Sequence, residues 1–249
     1  MGSVPDYLIR LLAPAKLTTS LRVVGLRDDG YHLIDAEMVS LDFGDTIIID
    51  PDGPDGVVYL DNDGGVIDVG PDDLVSRAMN LVQRRGAVTV QKVIAPGAGL
   101  GGGSADAAAI LHWAGMADAE AAAGLGADVA FCLLGGRARV QGIGEVLDPL
   151  PFEPQTFTLL TPPIMCSTPA VYRAWDELGG PVGDWGNDLE PAALVIAPEL
   201  VRWRDELHRA TGCRPRLAGS GSTWFVEGEF PATGHVVART TQARVPPSP

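Results

Sequence analysis

Five glycines fall within the seven residues from 97 to 103, and this cluster limits the possible folds more than any other feature. The segment 87–94 before it has the composition of a β-strand, and the alanine-rich segment after it favours a helix. Glycine has no Cβ, so such a loop brings several backbone N–H groups close to one anion. The helix adds unpaired N–H groups and the positive end of its dipole. The order strand, glycine loop, helix therefore predicts a phosphate-binding site.

Three familiar phosphate-binding loops fit this segment poorly. A Walker A loop ends in Gly-Lys-Ser/Thr, but here Gly103 directly precedes Ser104. The protein-kinase loop lies between two strands, whereas alanines follow this one. The dinucleotide spacing G-x-G-x-x-G does occur, at Gly97, Gly99 and Gly102. It requires an acidic residue after a second strand about 20 positions later, and the stretch there is alanine-rich and helical in pattern.

The charge balance argues against a general nucleic-acid-binding protein. The chain has 18 Lys and Arg against 32 Asp and Glu, a formal net charge of −14, so little basic surface is available for a phosphate backbone. No apolar run approaches the ~18 residues of a membrane span, and the N-terminus lacks an export signal. Three widely spaced cysteines without metal-ligand spacing favour a reducing compartment. We therefore predict a cytoplasmic protein with neither nucleic acid nor membrane as partner.

The remaining pattern mixes strands and helices in two stretches separated by Pro149-Leu150-Pro151. Strands are predicted at 8–12, 20–24, 46–49, 87–94, 129–148, 156–160, 214–218 and 223–227, with a solvated hairpin region at 50–73. Helices are predicted at 73–85, at 105–126 as two short helices, at 168–178 and at 200–210. The chain is accordingly predicted to be an α+β protein of two layers, with one domain at 1–150 and another at 151–249.

Three motifs in order resemble the GHMP kinase superfamily. They are Ala13-Pro14-Ala15-Lys16, the loop at 96–105, and the turn Leu217-Ala218-Gly219-Ser220-Gly221-Ser222-Thr223. A single glycine loop is weak support, but three motifs at these places along the chain are specific. Further segments are similar to the 4-diphosphocytidyl-2-C-methyl-D-erythritol kinase family, at 29–33 (Asp-Gly-Tyr-His-Leu), 41–45, 126–131, 142–145 and 187–190 (Asn-Asp-Leu-Glu). The resemblance extends from about residue 9 to residue 228.

This resemblance implies a fold and an activity. The fold would be the GHMP-kinase fold, with an N-terminal ribosomal-protein-S5-like domain and a C-terminal ferredoxin-like domain. The activity would be ATP-dependent phosphorylation, with Mg²⁺, of the erythritol 2-hydroxyl of a CDP-linked alcohol in the non-mevalonate isoprenoid pathway. The partner would be this small molecule, and the protein a monomer or homodimer.

The resemblance also implies roles for individual residues at the reacting end. Asp128 would accept the proton of the substrate hydroxyl, and Lys16 beside it would keep it ionised. ATP would bind to Pro96, Gly97, Ala98, Gly99, Leu100, Gly101, Gly102, Gly103, Ser104 and Ala105. We expect Ser104 to cap the helix after the loop, and its hydroxyl is also a candidate ligand for Mg²⁺.

At the other end, the resemblance implies a cytidine pocket. The Tyr31 ring would stack on the cytosine and the His32 imidazole would bond to its edge. Thr168, Pro169 and Tyr172 would complete the pocket, with Tyr172 as a second aromatic face. The pattern of residue types suits a planar base with a donor–acceptor edge.

Some positions depart from the family pattern, and two alternatives stay open. Thr18 replaces an Asn, Met38 an aromatic residue, and Ala105 a second Ser of the loop. One alternative is another GHMP kinase, of the homoserine or mevalonate type, against which Tyr31 and His32 argue. The other is a nucleotide-binding protein without catalysis, against which the retained Lys16 and Asp128 argue.

Overall fold

In the computed structural model, which describes residues 8–70 and 72–243, the chain forms two β-sheets and a set of helices. The first sheet contains β1 (Ile9–Leu26), β2 (His32–Asp50), β3 (Gly56–Leu60), β4 (Val66–Ile67), β5 (Ala87–Gln91), β6 (Arg137–Gly142) and β7 (Val146–Pro149). The second contains β8 (Thr156–Leu160), β9 (Arg216–Leu217), β10 (Trp224–Glu227) and β11 (His235–Arg239). The helices are α1 (Leu74–Leu81), α2 (Gly102–Trp113), α3 (Ala119–Leu125), α4 (Val129–Leu134), α5 (Thr168–Glu177), α6 (Glu190–Ile196) and α7 (Leu200–Thr211).

The long strand β2 is the centre of the first sheet because it pairs with three other strands. β1 runs antiparallel along one edge, while β6 and β5 pair in turn with the other edge. β3 joins β5 in parallel, and β4 and β7 extend the sheet at its two ends. The second sheet is antiparallel in the order β11-β8-β10-β9.

Two hydrophobic clusters hold these elements together. The larger one packs α1 to α4 against the first sheet and continues through α5, α6 and α7. The smaller one lies where the two sheets meet, and it includes two residues of the glycine loop. Its members are Ala15, Leu17, Val39, Leu41, Ile94, Ala98, Leu100, Phe157, Leu159, Ala218, Phe225 and Ala238. Burial of Ala98 and Leu100 therefore anchors the loop from within.

The α+β class is confirmed, and most predicted elements exist with shifted ends. The predicted break within 105–126 separates α2 from α3. The two strands predicted at 8–12 and 20–24 are parts of the single strand β1. The helix predicted at 73–85 already ends at Leu81. Within the described residues 8–70 and 72–243, no helix has the length and apolar character needed to span a membrane. The division into domains at residue 150 stays a prediction.

One prediction of secondary structure was wrong, and it concerns the site. We predicted strands over 129–148, but α4 occupies Val129–Leu134, and strand structure begins only at Arg137. Every α4 residue except Leu134 is buried, so its sequence is a continuous apolar run. A short run of this kind has no periodicity that separates a buried helix from a buried strand. Two further elements, α6 and β11, were not predicted.

Both the backbone φ angle and the lack of room for a Cβ require glycine at two positions of the loop. Gly99 has a φ of +78°, and a Cβ there would lie 2.3 Å from the Ala218 carbonyl oxygen. Gly101 has a φ of +68°, and a Cβ there would lie 2.7 Å from Lys16 Cγ. Side chains at these positions would push the loop away from the turn at 217–223 and from β1.

A buried group of three charges ties together the segments on either side of the loop. Lys92 Nζ lies 2.5 Å from Asp45 Oδ2 on β2 and 2.7 Å from Asp106 Oδ2 on α2. The other Asp45 oxygen accepts hydrogen bonds from the backbone N–H groups of Val93 and Ile94, at 2.5 and 2.8 Å. The strand before the loop and the helix after it are thus fixed to the centre of the sheet.

This group carries two carboxylates for one ammonium, so one negative charge is in excess. Asp106 Oδ1 is buried and has no hydrogen-bond partner among the described residues. Burial raises the pKa of Asp106 to about 7, with the Asp45 charge adding to the rise and Lys92 opposing it. Burial alone would lower the pKa of Lys92, but the charges of Asp106 and Asp45 raise it above its usual value.

We expect Asp106 to make stability depend on pH. Its pKa is raised in the folded protein, so the folded state binds an additional proton between about pH 4 and pH 7. The stability that this proton provides is complete below about pH 4 and is lost as pH rises through 7. Asp106→Asn keeps an acceptor for Lys92 and cannot ionise. Its free energy of unfolding should therefore fall less than that of the wild type as the pH is raised from 5 to 8. Urea unfolding measures this, with exposed Asp63→Asn as control, and equal pH slopes in wild type and Asp106→Asn would contradict it.

Gly99→Ala should lower the free energy of unfolding by about 2 kcal/mol or more. The positive φ at this position is unfavourable for alanine, and the new Cβ would also clash with the Ala218 carbonyl oxygen. Gly124→Ala, in α3, is the matched control, since nothing lies within 4 Å of a Cβ at that position. It should leave stability unchanged or raise it by up to about 1 kcal/mol. Urea denaturation compares the two variants, and an unaltered midpoint for Gly99→Ala would show that the loop is not constrained as described.

Candidate active site

A single cavity of about 760 Å³ contains nearly all of the predicted site residues. The glycine loop forms one wall, Lys16 and Asp128 lie beside the loop, and Tyr31, His32 and the start of α5 form another part. Apolar residues of β3, β4 and α1 also line the cavity, namely Tyr59, Ile67 and Leu74. The predicted ATP-binding and substrate-binding residues therefore share one space.

Lys16 and Asp128 form an ion pair in this cavity. Lys16 Nζ lies 3.2 Å from Asp128 Oδ2 and donates a hydrogen bond of 3.0 Å to Thr18 Oγ1. Lys16 lies within β1 at a shift of register with β2, and it is almost fully buried. Asp128 directly precedes α4, and about a third of its side chain is exposed. The pair therefore joins a buried cation to a carboxylate that a substrate can reach.

The backbone carbonyls of the glycine loop bond to other parts of the protein, whereas most of its N–H groups do not. The Leu100 carbonyl accepts from Lys16 N at 3.0 Å, and the Ala98 carbonyl accepts from Thr223 N at 3.1 Å. The Gly97 carbonyl accepts from Cys166 N and Ser222 N. In contrast, the backbone N–H groups from 99 to 104 have no partner among the residues that the structure describes. Free N–H groups at a helix N-terminus attract anions.

Two loop residues differ from their predicted places. Ser104 was predicted to cap the helix, but α2 begins at Gly102 with Gly101 in the cap position, so Ser104 lies inside the first turn. Gly101 takes the cap because its left-handed backbone admits the turn. Ser104 still lines the cavity, whereas Ala105 is buried in the hydrophobic core and does not.

His32, rather than Tyr31, makes the aromatic contacts of the base end. The His32 ring stacks on Tyr172 with ring centroids 4.7 Å apart and meets Trp175 edge-on. Its Nε2 lies 2.8 Å from Asp176 Oδ1. Burial, and then the charge of Asp128, raises the pKa of Tyr172, so this ring stays a neutral phenol. Tyr31 is 58% exposed at the cavity edge, and the Arg27 guanidinium lies over its ring, 5.4 Å from the ring centroid.

The turn at 217–223 connects the glycine loop to α5. Thr168 Oγ1 and Ser220 Oγ are 2.8 Å apart, and Pro169 follows Thr168 in the cavity wall. The Asn187 side-chain amide donates to the Leu217 and Gly219 carbonyls at 2.8 and 2.7 Å. Asn187 therefore fixes the shape of the turn that faces Gly99.

Sequence reasoning missed Asp176, Trp175 and the structural role of Asn187. Helical spacing offered a signal for Asp176, because it lies four residues after Tyr172 and eight after Thr168 on one helix. Asn187 lies within the segment 187–190, which resembles the family, but the resemblance implied no role for this residue. Within the described ranges 8–70 and 72–243, no group of three or more His, Cys, Asp or Glu side chains is arranged to hold a metal ion.

Comparison with known proteins gives consistent results. No protein-family model matches the chain. The 4-diphosphocytidyl-2-C-methyl-D-erythritol kinase of Dinoroseobacter shibae is 35% identical over 94% of this chain and 90% of that protein. The kinase of the same name from Ruegeria pomeroyi is 38% identical over 94% and 93%.

Solved structures agree with these relatives. A crystal structure of 4-(cytidine 5'-diphospho)-2C-methyl-D-erythritol kinase matches with a TM-score of 0.72 at 31% identity, covering 93% of this chain and 98% of that one. A homoserine kinase from Cytophaga hutchinsonii matches with a TM-score of 0.61 at 16% identity, over 98% and 97%, and shares the fold. The chain therefore belongs to the 4-diphosphocytidyl-2-C-methyl-D-erythritol kinase family, with the α+β fold of the GHMP kinases.

Proposed function

We propose that this chain transfers the γ-phosphoryl group of ATP to the 2-hydroxyl of 4-CDP-2-C-methyl-D-erythritol. The observation that carries the proposal is the Lys16–Asp128 pair, 3.2 Å apart, in a cavity shared with the glycine loop and an aromatic base site. The relatives of the same name support the choice of substrate. The reaction belongs to the non-mevalonate route to isoprenoid precursors.

The donor phosphates bind to the glycine loop in this proposal. The free N–H groups of residues 99–104 and the dipole of α2 supply the attraction, with no need for a basic surface. The apolar side chains of Ile67 and Leu74 then receive the nucleobase, because they line the cavity beyond Gly103, and Leu74 lies near that residue. A net charge of −14 is compatible with this arrangement, since the donors are local.

Mg²⁺ accompanies the donor in the proposal. Mg²⁺ keeps several waters and usually takes only one or two protein oxygens besides the phosphates, so a dedicated cage is not required. The Ser104 hydroxyl in the first turn of α2 is the protein ligand that fits, because it lines the cavity next to the phosphate-binding N–H groups. The bound ion would neutralise phosphate charge and orient the γ-phosphoryl group.

Asp128 acts as the base for the acceptor hydroxyl. It accepts the hydroxyl proton as the oxygen bonds to the γ-phosphorus and the bond to the β-phosphate oxygen breaks. Lys16 holds the carboxylate in place and offsets negative charge that develops during transfer. Phosphoryl transfer has a loose transition state, so positioning and charge neutralisation supply most of the rate enhancement.

The acceptor is recognised by its cytosine. Tyr31 and Tyr172 offer aromatic surface, His32 offers a ring nitrogen, and Thr168 with Pro169 closes the pocket toward the glycine loop. This base end separates the proposal from homoserine and mevalonate kinases, whose substrates have no base.

A coupled ADP-release assay with Mg-ATP tests the proposal. The CDP-linked alcohol should give turnover, while homoserine and mevalonate at equal concentration should give none above background. Turnover with homoserine or mevalonate instead would favour another GHMP activity. No ADP from any acceptor, despite nucleotide binding, would favour the non-catalytic alternative.

Asp128→Asn should lower kcat by about 10²-fold or more, because the amide cannot accept the hydroxyl proton. KM for the CDP-linked alcohol should change little, because the cytidine contacts are intact. Asp118→Asn is the matched control, since Asp118 also directly precedes a helix but lies outside the cavity. Steady-state kinetics compares the variants, and wild-type kcat in Asp128→Asn would remove Asp128 from the catalytic role.

A further inference from the structure

The C-terminal half of α5 holds the His32 ring from three sides. Tyr172 stacks on one face of the ring at 4.7 Å and an angle of 25°. Trp175 meets it edge-on at 5.6 Å and 89°. Asp176 Oδ1 lies 2.8 Å from Nε2. Only about a tenth of the His32 side chain is exposed, whereas half of Asp176 is exposed. The imidazole is therefore fixed in orientation by packing and by one hydrogen bond.

This hydrogen bond decides which ring nitrogen is left for a ligand. A carboxylate only accepts hydrogen bonds, so Nε2 must carry the hydrogen that is shared with Asp176. In a neutral imidazole the other nitrogen, Nδ1, is then an acceptor. Nδ1 of His32 has no partner among the residues that the structure describes. His32 and Asp176 both line the cavity.

We propose that Asp176 is a positioning residue that fixes the His32 ring with Nδ1 as an acceptor, and that it thereby makes the site select cytosine over uracil. The inference rests on the proposed function, because it concerns the base end of the proposed acceptor. The sequence motifs assign no role to Asp176.

The chemistry of the two bases supports this selection. Cytosine carries an amino group at position 4, which donates a hydrogen bond, and uracil carries an oxygen there, which accepts one. A His32 Nδ1 acceptor bonds to the cytosine amino group. Opposite uracil, two lone pairs would face each other, and a buried acceptor would be left unpaired. Without Asp176 the ring could turn or change tautomer and present an N–H group to uracil.

Direct binding tests the inference without requiring catalysis. Calorimetry measures Kd for the CDP-linked alcohol and for its UDP-linked counterpart, in the absence of ATP. The ratio of the two Kd values should favour cytosine in the wild type and fall by about tenfold or more in Asp176→Ala. Glu177→Ala is the matched control, because Glu177 is an exposed carboxylate in the same turn of α5. Its ratio should stay within about twofold of the wild type.

A spectroscopic measurement tests the premise separately. ¹⁵N NMR of the wild type, with His32 assigned by its loss in His32→Gln, should show Nδ1 without a hydrogen. A ratio in Asp176→Ala that changes no more than in Glu177→Ala would overturn the inference, as would a protonated Nδ1 or a wild type without base preference. Failure of the proposed function looks different: the CDP-linked alcohol would bind with the expected preference, yet no ADP would form with Mg-ATP.

Discussion

The backbone carbonyls of the glycine loop are the groups on which the site depends. Strand β1, the segment at 166 and the turn at 217–223 all donate to carbonyls of Gly97, Ala98 or Leu100. Three distant parts of the chain thereby meet at one short loop. These carbonyls are used within the protein, whereas the N–H groups of residues 99–104 have no partner in the described part of the chain and are available to an anion. Glycine at 99 and 101 allows the approach that these bonds require.

Charge in the cavity is balanced rather than strongly positive. Lys16 is paired with Asp128, and Lys92 is paired with Asp45 and Asp106. Neither ammonium group is free to act alone on a phosphate, so the attraction comes from the fixed backbone dipoles and from Arg173, a further cation of the cavity lining. An acidic chain can bind an anion in this way because the donors are local and do not depend on the net charge of the chain. The excess carboxylate at Asp106 is tolerated by uptake of a proton, as its raised pKa indicates.

Local motifs predicted many of the residues that line the candidate site. The loop, Lys16, Asp128 and the residues at the start of α5 each stand in a recognisable short segment, and the cavity brings them together. Contacts between distant segments were beyond such reasoning: Lys92 meets Asp45 over 47 positions, and His32 meets Asp176 over 144. The helix α4 was missed because a short buried apolar run fits either kind of element. Family resemblance supplied roles for residues, but not the partners that hold those residues in place.

The spacing of side chains along α5 has a consequence for how this family can change in length. Thr168, Tyr172 and Asp176 all line the cavity because they recur every four residues. Inserting or deleting one residue between them would rotate the following side chains by about 100° around the helix axis. Tyr172 or Asp176 would then leave the cavity while the helix itself stayed intact. Insertions and deletions should therefore be excluded from residues 168–177, because the spacing of these residues along the helix sets the positions of the side chains at the base site.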